Sequence, residues 1–234
     1  MKSACRRAFA TFALLCCNQV LAAPYPSEDQ FRGAIEKIAG LLKTEGLGLE
    51  ILDARKSGLT QPLMGAGLNL NNATCRIYFN TRPEDGLTQF FAAIPENDLP
   101  IWLTAIAVHE ATHCIEQREA YIDKRFDRVL PPDFRRDDMT VQGYQAVVKS
   151  GAVETWDEAL ADIVSVLYLK QIAPDRWAYF AAGIAAMRHE LAGKWPEHDT
   201  SSWLNQVIVA NPVQAPHQSL FEAGLRLCRQ FRPG

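Results

Sequence analysis

The stretch ENDLPIWLTAIAVHEATHCIEQREA, residues 96–120, constrains this chain more than any other. Asn97 or Asp98 can cap a helix whose first turn holds Pro100. From Ile101 to Val108 the segment is apolar on nearly every side, with Thr104 the exception, so the spacing predicts a helix running through the core. Within it, His109 and His113 stand four residues apart and stack on one face. Both imidazoles can then reach one ion, and Glu110 lies beside it. In H-E-x-x-H helices the two histidines hold zinc, and the glutamate acts as general base toward a metal-bound water. The alternative is a pair of core histidines satisfied by hydrogen bonds. Two such groups on an otherwise apolar helix favour a shared partner.

Catalytic zinc usually takes three protein ligands, so the chain must supply one more. The extended motif H-E-x-x-H-x-x-G-x-x-H is excluded, because Glu116 occupies the glycine position and Glu119 the last histidine position. Downstream, VETWDEALADIVSVLYLKQ has helical spacing through Trp156, Leu160, Ile163, Val164 and Leu167. Glu158 and Asp162 share one face of it. Glu158 is the expected third ligand, with Glu154 and Asp157 as competitors. Asp162 is expected to accept a hydrogen bond from His109 and fix its tautomer.

On His109, Glu110, His113, Glu158 and Asp162, the sequence resembles the gluzincin group of zinc metallopeptidases, which includes thermolysin. The resemblance covers roughly residues 28–170. It implies an α+β, zincin-like fold, mostly helical, with a small mixed β-sheet over the active-site helix and an edge strand that binds extended peptide. It also implies a downstream residue that stabilises the oxyanion. His198 is the first candidate for that role, His217 the second and Tyr144 the third. The interval from His113 to Glu158 is longer than in thermolysin-like members. The expected activity is hydrolysis of peptide bonds in a peptide or protein substrate, with Zn²⁺ as cofactor. The alternatives are hydrolysis of a cell-wall stem peptide, or a non-catalytic metal- or partner-binding protein on the same scaffold.

The first 22 residues read as a secretory signal, with Lys2, Arg6 and Arg7 before an apolar run and Val20 and Ala22 at a cleavage point. Residues 23–234 then form a single domain, periplasmic or secreted, with no stable membrane anchor. Loss of those three charges leaves 21 basic side chains against 27 acidic ones. A formal charge near −6 disfavours nucleic acid as a partner. Cys75, Cys114 and Cys228 remain, and three cysteines allow any of three disulfide pairs. Cys114 points about 100° around the helix from His113, which makes it a buried thiol or half a disulfide rather than a ligand.

Elsewhere the pattern predicts a helix from Ser27 to near Gly46. LGLEILDA and TCRIYFN should give two or three strands with the Gly- and Asn-rich MGAGLNLNNA between them. Further helices are expected at 174–192, 200–209 and 216–230. Arg118–Asp138 reads as a charged surface excursion, with a lid over the cleft as the alternative.

Overall fold

The computed structural model describes residues 25–59, 63–82 and 85–233; the signal-like segment lies outside them. The chain is α+β and predominantly helical, with one three-stranded mixed sheet. Helix α1 (Glu28–Glu36) opens with a capping box in which the Ser27 side chain accepts from the Gln30 amide and Gln30 reaches back to the Ser27 amide. The single helix expected here is two, because the chain turns at Lys37–Ile38 before α2 (Ala39–Thr44). Gly46, at φ +69°, then turns it into the sheet.

Strands β1 (Gly48–Asp53), β2 (Met64–Asn69) and β3 (Thr74–Phe79) lie in the order β1-β3-β2. β1 runs parallel to β3, pairing Ile51 with Ile77, and β2 runs antiparallel to β3, pairing Ala66 with Ile77. The glycine-rich spacer is itself half strand, with the turn confined to Leu70–Ala73. Glycine weakens a strand, but pairing and burial at Met64 and Gly65 override that propensity.

Helix α3 (Asp85–Ala92) precedes the central helix α4 (Leu99–Gln117). Asp98 sits at the N-cap position of α4 but does not cap it; both its carboxylate oxygens accept from Arg176, at 2.7 Å each. α4 lies under β2 and β3 and against α1 and α7 (Glu154–Ile172). At its end, the Gln117 side chain accepts from the Leu68 amide of β2 at 3.0 Å, tying the helix to the outer edge of the sheet. Cys75 of β3 is disulfide-bonded to Cys114 of α4, and Cys228 is a buried free thiol. Of the three open pairings, this one joins the sheet to the histidine helix.

The presumed surface excursion is packed down. A π-helical turn (Arg118–Ile122) continues α4, followed by the short α5 (Phe126–Val129). Val129 and Leu130 are buried, and the Val129 carbonyl accepts from the Trp156 indole at 2.8 Å. Some of the segment's charges pair across the fold, Arg128 with Glu222 and Asp133 with Arg232, while Lys124, Arg136, Asp137 and Asp138 are exposed as a surface run would be. A helix not anticipated, α6 (Val141–Lys149), follows, with Thr140 capping the Gly143 amide.

The C-terminal half is helical as expected, with α8 (Trp177–Leu191), α9 (Ser201–Ala210) and α10 (Leu220–Gln230). α10 crosses α7 at Gly224, where a β-carbon would stand 2.5 Å from a Val164 methyl. Only glycine allows that approach. Among the described residues, no helix is long and apolar enough to cross a membrane.

Candidate metal centre

α4 and α7 pack side by side, pinned where the buried Ser165 hydroxyl donates to the Ala105 carbonyl at 2.8 Å. This register places Glu158 opposite the two histidines. His109 and His113 present their Nε2 atoms to each other at 3.2 Å. Glu158 completes the triangle, with Oε2 3.4 Å from His109 Nε2 and Oε1 3.6 Å from His113 Nε2. These three residues form a group able to hold a metal ion, as the sequence predicts.

The spacing itself has a chemical meaning. Ligands about 2.0–2.1 Å from a tetrahedral metal lie roughly 3.3 Å apart. Each histidine is also held by its far nitrogen: His109 Nδ1 lies 2.8 Å from Asp162 Oδ1, and His113 Nδ1 lies 3.0 Å from Glu116 Oε2. With Nδ1–H donated to a carboxylate, a neutral ring turns the Nε2 lone pair inward. With both rings neutral, the two lone pairs would face each other across 3.2 Å, an arrangement that a cation satisfies. The Glu158 Oε2 atom is buried and accepts no aligned hydrogen bond, although three cationic groups surround it. A buried carboxylate oxygen with no aligned hydrogen bond, beside two imidazole nitrogens, is a donor set that fits a metal ion with nitrogen and oxygen preferences.

Asp162 does what the sequence suggests, and more. Its Oδ1 also accepts from Arg188 Nη2 at 2.9 Å, while Oδ2 accepts from Arg188 Nε at 2.8 Å and Thr200 Oγ1 at 2.5 Å. Arg188 comes from α8 and is largely buried; it also stands 3.1 Å from Glu158 Oε2. Thr200 holds the N-cap position of α9, yet its hydroxyl serves Asp162 instead of the helix.

Electrostatics follow from this crowding. Burial alone would push the His109 imidazolium down, but the carboxylates of Glu158 and Asp162 outweigh it and hold its pKa at about 10 in the absence of metal. Burial works likewise against charge on Glu158 and Asp162. His109 brings Glu158 well below the usual carboxylate range, and Arg188 with His109 does so for Asp162. Behind His113 the balance is reversed. Burial, with Glu116 and Glu158 nearby, lifts Asp157 to about 9, and burial also raises Glu116.

His198, in the turn Pro196–His198 after α8, reaches the site: its Nδ1 is 3.1 Å from Glu158 Oε2. Contact with that carboxylate raises its pKa. Glu110 is half-buried between the two histidines in sequence and has no hydrogen-bond or ion-pair partner among the described residues. Its charge is nonetheless close enough to raise both His113 and Arg188. The other candidates fall elsewhere. His217 is exposed in the loop before α10, and Tyr144 is buried near Glu116, lining a cavity whose wall it shares with His113. Glu154 groups with Glu197 and His198 on the rim, and Asp157 faces the cavity behind His113. Glu119 is buried under Arg125 and Arg128, so it has no part in the centre.

Sequence reasoning missed Glu116, Arg188 and Thr200. Glu116 had a signal, since it lies one turn beyond His113 on the same face. Arg188 and Thr200 had none, because only the packing of α8 and α9 on α7 brings them to Asp162.

Fold and site together define an α+β, mostly helical chain with a candidate mononuclear metal centre built on two helices. Comparison with protein-family models, curated proteins and solved structures found no match.

Proposed function

We propose that this chain is a zinc-dependent peptidase of the gluzincin type, exported from the cell. The observation that carries the reading is Glu110, a half-buried carboxylate with no hydrogen-bond or ion-pair partner among the described residues, one residue from His109 and close enough to His113 to raise its pKa. A carboxylate that solvent reaches and no protein group engages is able to accept a proton from a water at the centre.

His109, His113 and Glu158 would hold the metal. Zinc bound there supplies Lewis acidity, polarising a carbonyl and bringing the pKa of bound water to about 7. Glu110 takes a proton from the attacking water as its oxygen bonds to the carbonyl carbon. As the carbon–nitrogen bond breaks, Glu110 returns that proton to the leaving amine. Asp162, clamped by Arg188, keeps the His109 ring in the donating tautomer. His198, on the open side of Glu158, donates to the oxyanion as it develops.

The mixed sheet lying over α4, with β2 at its edge, supports the zincin-like part of the reading. The Cys75–Cys114 disulfide supports export, since such bonds persist in oxidising compartments. The test is cleavage of a mixed peptide and protein library by the chain from Ala23 onward, with zinc present. Cleavage lost both in Glu110→Gln and in chelator is the expected result. Equal activity of Glu110→Gln and wild type would sink the mechanism.

A further inference from the structure

Behind His113 lies a cavity of about 340 Å³ that the proposed chemistry does not use. Its volume, at the low end of ligand pockets, suits one side chain better than a larger molecule. Glu116 and Asp157 line it together with Tyr121, Tyr144 and Val148, and His113 is shared between this wall and the metal centre. Glu116 is 96% buried by its 4% exposure, and one of its carboxylate oxygens, Oε1, has no hydrogen-bond partner. The other oxygen, Oε2, is engaged by His113. The Asp157 carboxylate has no partner among the described residues. No lysine or arginine lines the cavity.

Glu116 Oε1 is buried without a partner beside a second carboxylate, and His113, already engaged by Glu116 Oε2, is the one basic side chain on the wall, so a cationic group entering the recess would find acceptors that no protein group uses. The walls define that group further. The rings of Tyr121 and Tyr144 meet edge to face at 5.5 Å, and aromatic rings attract cations while packing against methylenes. We infer that this cavity is a specificity pocket, taking a lysine- or arginine-type side chain of a peptide next to the bond cut at the metal centre. The inference rests on the peptidase reading for the bond, and on the cavity alone for the cation. A long side chain with a terminal charge would lie along the tyrosines, place its head between Glu116 and Asp157, and bring its backbone past His113.

The test uses blocked hexapeptides of alanine in which one residue is lysine, arginine, glutamate or norleucine, the last matching the lysine stem without its charge. Cleavage by the zinc-loaded wild type is followed by product mass, and binding to zinc-loaded Glu110→Gln by calorimetry. Lysine and arginine peptides should be cleaved beside the basic residue, and bound by Glu110→Gln, at least tenfold better than norleucine. Val148→Lys, which places an ammonium at the half-exposed wall, should lower the lysine-over-norleucine ratio at least tenfold, and Asp157→Asn should lower it in the same direction.

Cleavage without basic preference, unchanged by Val148→Lys, would overturn the pocket and leave the peptidase. Binding of lysine peptides tenfold tighter than norleucine, without any cleavage, would keep the pocket and remove the peptidase. Two zinc ions per chain, with the second lost in Asp157→Asn, would overturn the inference by making the cavity a metal site.

Discussion

Asp162 Oδ1 lies 2.8 Å from His109 Nδ1, and the rest of the Asp162 carboxylate is taken up by Arg188 and Thr200. A histidine on one core helix is thus oriented by a carboxylate on the next, which two further helices hold in place. Asp162→Asn should preserve the shape but lose the charge that favours N–H donation by His109. Zinc affinity should fall about 10- to 100-fold, as for other outer partners of metal-bound histidine. Competition against a chelator of known affinity measures this, and unchanged affinity would remove Asp162 from the centre.

Among the described residues Arg188 is the only arginine on that carboxylate, and it is largely buried. Arg188→Ala should cost on the order of 3–5 kcal/mol, because it takes the buried guanidinium from Asp162 and Glu158 and leaves them only their histidine partners. Arg188→Lys keeps the charge but not the forked geometry, and should recover only part of that loss. Urea unfolding of the metal-free proteins compares the three.

Zinc must displace the proton that His109 holds up to about pH 10. The sign follows directly: below that value binding releases a proton, so affinity weakens as pH falls. From pH 8 to pH 6 the zinc Kd should rise about tenfold per unit from His109 alone, and more steeply with the raised His113. A pH-independent Kd would contradict the tautomer and charge assignments. The stability of the metal-free protein runs the other way. The His109 contribution is complete below the unfolded value near 6.5 and is lost as pH rises through about 10.

The close crossing of α10 on α7 yields a paired test. Gly224→Ala should destabilise by about 1–3 kcal/mol, since its methyl group meets Val164. Gly33→Ala, in α1 with open space around it, should stabilise by about 0.4–1 kcal/mol through the unfolded chain. Opposite shifts in Tm are expected, and equal shifts would contradict the packing.

Much of the centre is legible in the sequence because local period carries it. His109, Glu110 and His113 follow from one helical face, and Glu158 with Asp162 from another. The Cys75–Cys114 bond was not legible, since pairing depends on β3 lying over α4. Nor was the role of Arg188, whose position is set by tertiary packing and not by any periodic signal. The charged run from Arg118 to Asp138 is only in part the surface excursion its composition suggests: Lys124, Arg136, Asp137 and Asp138 are exposed, but Val129 and Leu130 anchor it and Arg128 reaches Glu222. β2 misled because glycine propensity is weak evidence against pairing with a strand such as β3.

The central claim is that His109, His113 and Glu158 are the ligands of one metal ion. X-ray absorption at the zinc edge, on protein loaded to saturation and on Glu158→Ala, tests it most directly. One zinc per chain is predicted, with two imidazole nitrogens and carboxylate and water oxygens at about 2.0–2.2 Å, and loss of an oxygen scatterer and of affinity in Glu158→Ala. Absence of bound zinc, or a spectrum with sulfur ligands or unchanged by Glu158→Ala, would contradict it.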